Sequence, residues 1–151
     1  MSRIAGCLAA NALILGLVVA PAQAAEVTAE PVTWQLSSTS CSELPSGTTV
    51  NGSGSLRILV NTTAGREVVI QHATGTATDQ AGNTYHWIYS NEANTMGSTT
   101  RIVDHFSLSG PGPARLSNGF VAVFRGEELD LIHAHGDPLD FETFEAHCDP
   151  L

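Results

Sequence analysis

No lysine occurs anywhere in this chain; its six basic residues are all arginine and face fifteen Asp and Glu, for a formal net charge of −9. A surface of that sign repels phosphate backbones and anionic headgroups, so no nucleic-acid or membrane-surface partner is expected. The missing lysine also removes Schiff-base catalysis. A Gly-x-Ser-x-Gly elbow and a glycine-rich cofactor loop are both absent, which leaves the many serines and threonines without a context for nucleophilic attack. Long apolar runs are scarce too. The run at residues 13–20 falls well short of a bilayer crossing, which takes about 20 apolar residues. No segment sustains a helical period.

That short apolar run does fit an export signal. Arg3 precedes it, and Ala22-Gln23-Ala24 follows as a small-x-small cleavage site. Cleavage after Ala24 is predicted, which removes residues 1–24 and leaves residues 25–151 as one domain, secreted into the extracellular space or cell envelope. Stable membrane insertion is not expected once the signal is gone. Ile4-Ala5-Gly6-Cys7 resembles the box at which bacterial lipoproteins are cut and acylated, but it precedes the apolar run instead of following it. Cys7 is therefore expected to leave with the signal. Cys41 and Cys148 remain, and in an oxidising compartment they are predicted to pair as a disulfide. In the chain-entropy account, a bridge closing a loop of about a hundred residues contributes about 4 to 5 kcal/mol.

From Val27 onward, short runs of Val, Ile, Thr, Phe, Tyr and Trp alternate with clusters of Gly, Pro, Asn and Ser. This is the pattern of strands and turns. Strands are predicted at residues 27–36, 53–60, 67–78, 84–90, 99–109, 120–125, 129–135 and 140–147. Residues 61–66, 79–83 and the neighbourhood of Gly126 read as hairpin joins, and 37–52, 91–98 and 110–119 as looser loops. The expectation is an all-β fold, a single antiparallel β-barrel of about eight strands, with a two-sheet β-sandwich as the alternative. A bridge from Cys41 to Cys148 joins the loop after the first strand to the end of the last, which favours closure.

Three segments, Gly75-Thr76-Ala77-Thr78-Asp79, Gly82-Asn83-Thr84-Tyr85-His86 and Asp104-His105-Phe106-Ser107-Leu108-Ser109-Gly110, resemble a group of small secreted bacterial proteins of undefined role. The resemblance implies an exported antiparallel β domain. It brings no activity and no site residue with it.

Tyr85, Trp87 and Tyr89 alternate along one predicted strand and so share a face, either as core or as a platform that binds an apolar ligand. His133 and His135 project to one side of theirs, where two imidazoles can share a metal, with the carboxylate of Asp137 as a further ligand. Regular alternation sets both histidines on the face of Leu129 and Leu131, and His72, His86, His105 and His147 are candidates to complete the site. An Asp104–His105 dyad is not expected, because neighbours on a strand point to opposite faces.

The expected function is a non-enzymatic secreted binding domain, without a cofactor, for a small apolar molecule or an extracellular protein. Two alternatives stand beside it: a metal-assisted secreted enzyme using His133 and His135, and a structural envelope or surface protein.

Overall fold

The computed structural model describes residues 26–151 apart from residue 144; the predicted signal segment 1–24 lies outside the described residues. Seven strands follow one another: β1 (Glu26–Ser37), β2 (Thr49–Thr63), β3 (Arg66–Asp79), β4 (Thr84–Met96), β5 (Thr99–Ser109), β6 (Leu116–Arg125) and β7 (Glu128–His135). They pair in chain order as one antiparallel sheet, and no helix occurs among the described residues. The all-β antiparallel character is the one alternation predicts.

Closure is not seen. Among the described residues β1 pairs only with β2 and β7 only with β6, so the ladder is open rather than a hydrogen-bonded barrel. The sheet is nonetheless strongly curled. Trp34 on β1 meets Trp87 on β4 at 5.7 Å and Phe106 on β5 at 5.6 Å between ring centroids. In a flat sheet, strands four apart stand about 19 Å from one another, so rings reach across only if the sheet rolls inward. A disulfide, Cys41–Cys148, with Cα atoms 4.6 Å apart, ties the loop after β1 to the segment after β7.

Two expectations about segments need correcting. Of residues 140–147, predicted as an eighth strand, the described ones form turns with one isolated bridge, Leu139 to Ala146. Asp140 explains this: its Oδ1 accepts from the backbone N–H of Glu142 at 2.7 Å and of Thr143 at 3.3 Å, a local turn that outcompetes extension. Residues 91–98, predicted as a loop, instead continue β4 to Met96, and the chain then reverses through Gly97-Ser98. Asn91, Glu92 and Asn94 are weak strand formers, but β3 and β5 pair with this stretch on both sides and hold it extended. Gly97, at φ 59°, supplies the left-handed conformation of the two-residue turn.

Candidate functional site

The concave face is organised in rows set by the ladder register. One row runs Leu56, Ala73, Tyr89, Phe106 and Asn118 across β2 to β6. Around it the three alternating aromatics of β4 are buried, Tyr85 at 0%, Trp87 at 1% and Tyr89 at 4% exposure, so this end of the interior is filled by rings. Glycines make the room. A Cβ on Gly52 would stand 2.1 Å from the Trp34 ring, and one on Gly54 would stand 2.6 Å from that of Trp87. The Trp87 indole N–H spans the gap and donates to the carbonyls of Ser53 at 3.2 Å and Thr76 at 3.1 Å.

Tyr85 is anchored at its hydroxyl, which donates to Asp79 Oδ2 at 2.8 Å. The same carboxylate accepts from the backbone N–H groups of Ala81 and Asn83, each at 2.9 Å, and from the Asn83 side chain at 2.8 Å. These bonds, led by that of Asn83, hold Asp79 below its usual carboxylate range. Burial, reinforced by Asp79, pushes the Tyr85 phenol up.

A polar belt comes next. Gln71, Asn91, Asp104 and Phe120 form the adjoining row, and Asn91 Nδ2 donates to Asp104 Oδ2 at 2.7 Å. The segment after β7 folds over this belt and brings Asp149 against Asp104; both aspartates are buried. Asn118 Nδ2 fixes that segment by donating to the Cys148 carbonyl at 3.0 Å. Burial and the facing Asp104 push the Asp149 carboxyl up to about 9, and burial with the same neighbours also raises the Tyr89 phenol.

Beyond the belt the concave face turns apolar again. Val60, Val69, Ala93, Ile102 and Ala122 are successive ladder partners on β2 to β6. Ala122 is buried, whereas Val60, Val69, Ala93 and Ile102 are only half-buried. The outer face of the same end carries a second apolar feature, a groove of about 220 Å³ lined by Leu59, Asn61, Thr63, Arg66, Val68 and Ile70.

His133 and His135 do lie together, with ring centroids 6.2 Å apart, but on the opposite face from that expected. A bulge in the β6–β7 register causes this: Leu131 pairs with Ala122, yet His133 pairs with Val121, so one extra residue flips the alternation. Leu129 stays inward and both histidines face outward and exposed. Asp137 does not join them. Its Oδ1 is bonded to His147 Nδ1 at 3.0 Å and its Oδ2 accepts from Ser42 Oγ at 3.1 Å, which strap the segment after β7 to the loop after β1. That Asp137 bond raises the His147 imidazole above its ordinary range.

No family model matches this chain, and neither does a curated protein or a solved structure. The arrangement is therefore read from its own residues. Asp104 and Asp149 were not among the candidates taken from sequence. Asp104 did carry a signal: it sits at an inward position between Ile102 and Phe106, where alternation calls for an apolar residue. For Asp149, in a turn-rich segment without periodicity, the sequence offers no comparable sign.

Proposed function

We propose that the chain is an exported binding domain whose curled, barrel-like sheet takes a small apolar ligand against Val60, Val69, Ala93 and Ile102. The observation that carries this reading is the contrast between the two ends of the concave face. One end is closed by rings, while the other presents an equally apolar row that remains half-uncovered. Contiguous apolar surface left open in this way favours an occupant, and each half-buried Val or Ile has about 1 kcal/mol of burial still to gain. The polar belt of Asn91 and Asp104 would form the floor of the site. Tyr85, Trp87 and Tyr89 then support it from below instead of touching the ligand. The Cys41–Cys148 disulfide is compatible with an oxidising compartment and so with a location outside the cytoplasm.

Titration with an apolar fluorescent dye, together with native mass spectrometry of the purified protein, tests this. Dye should bind at one site per chain, Ala93→Phe should block it by filling the concavity, and Val69→Asn should weaken it. Unchanged dye affinity in both variants, with folding verified by circular dichroism, would sink the reading. A second reading, an extracellular protein docked on the outer face, draws on the Leu59–Val68–Ile70 groove and on Val27, which is 64% exposed. Ile70→Asp separates the two, because it changes the outer face and leaves dye binding untouched.

A further inference from the structure

His105 on β5 and His135 on β7 are both ladder partners of Gly119 on β6. Two imidazoles thus flank a residue with no side chain to keep them apart. The His135 ring leans into that gap: a Cβ added to Gly119 would stand 2.8 Å from His135 Cε1. Its centroid lies 5.9 Å from that of His105 and 6.2 Å from that of His133. We propose that His105, His133 and His135 together bind one nitrogen-preferring divalent ion of the zinc type on the outer face of the sheet.

The spacing argues for it. With metal–nitrogen bonds of about 2.0 to 2.1 Å, each ring centroid stands about 3.2 Å from the ion, so two rings on a tetrahedral ion are about 5.2 Å apart. The observed separations of 5.9 and 6.2 Å lie within about 1 Å of that. As the side chains stand, no group of three His, Cys, Asp or Glu among the described residues converges on a metal position. Closing on the ion therefore requires the rings to turn. His133 and His135 are exposed and His105 is half-buried, so rotation meets little packing. The chain's net charge of −9 favours a cation, and imidazole selects a zinc-like ion over calcium or magnesium. Asp137 is already bonded to His147 and Ser42, so His105 takes the place of the third ligand and a fourth position stays open to water. The site lies on the opposite face from the proposed ligand concavity and does not depend on it.

The test uses tag-free, metal-stripped protein and zinc, with affinity measured by competition against a chromogenic chelator. One zinc per chain is expected, weakened at least about tenfold by His105→Ala and by His135→Ala, and unaffected by Asp137→Asn. Substitutions at these surface positions leave the sheet intact, which circular dichroism verifies. Substoichiometric zinc, or an affinity indifferent to His105→Ala, would overturn the assignment.

Discussion

Asp149, in the segment after β7, is hydrogen-bonded to Asp104 on β5, and one buried oxygen of each, Asp149 Oδ2 and Asp104 Oδ1, has no hydrogen-bond donor within reach. Asp104 Oδ2 accepts from Asn91 and Asp149 Oδ1 accepts from the Leu151 N–H, and a proton held on Asp149 lets the two carboxyls hydrogen-bond instead of repelling. An acid whose folded pKa is raised binds a proton in the native state that the unfolded chain has released. Stability from this pair is full below about pH 3.8 and declines as pH rises toward about 9. Asp149→Asn, whose amide donates at every pH, should flatten that decline and raise the melting temperature at pH 9 by on the order of 5 °C. Parallel pH profiles for the two proteins would contradict it.

Gly54 has no space for a side chain. An added Cβ would stand 2.2 Å from the Thr74 carbonyl oxygen as well as 2.6 Å from the Trp87 ring. Gly54→Ala should therefore cost about 3 kcal/mol in urea unfolding, the upper end for overpacking, because a backbone atom has to give. Gly65→Ala makes the contrast. It has open space around it and only a φ of 77° to contend with, so about 1 kcal/mol is expected.

Removing one hydroxyl tests the Asp79 turn. Tyr85→Phe deletes the bond to Asp79 and the 3.4 Å acceptor for the Ala114 N–H while keeping the ring. A loss of about 1 to 3 kcal/mol is expected, since Ala114 is left without its partner. Chemical denaturation at neutral pH measures it, with an unchanged m-value indicating that the fold persists.

His147 offers a second pH-dependent element of opposite chemistry. Its imidazole is raised by the Asp137 bond, so the contribution is fully present below its ordinary value of 6.5 and disappears as pH climbs through the folded value. His147→Gln should remove this component from the stability profile while leaving the alkaline slope due to Asp149. Thermal melts of both single variants, compared across pH 5 to 9, resolve the two contributions.

The strands were legible because their two-residue period is written in side chains: Tyr85-x-Trp87-x-Tyr89 is an inward face by inspection, and all three are buried. Pairing of Cys41 with Cys148 was legible from cysteine scarcity alone. The face of His133 was not. It depends on one extra residue opposite Val121 and Ala122, and a bulge has no periodic signature in a single strand. The false eighth strand failed for a different reason: residues 140–147 include strand-forming Phe and Thr, but Asp140 satisfies nearby N–H groups locally. Closure of the barrel could not be read, because alternation fixes faces and says nothing of whether edges meet.

The position of the disulfide determines how the domain bears tension. Cys41 and Cys148 enclose β2 to β7 within one covalent loop and leave β1 outside it. A pull applied through the segments flanking the two cysteines passes across the sulfur bridge and can unzip β1 alone. The other six strands carry load only after reduction, so a thiol reagent should turn a short mechanical extension into a complete one.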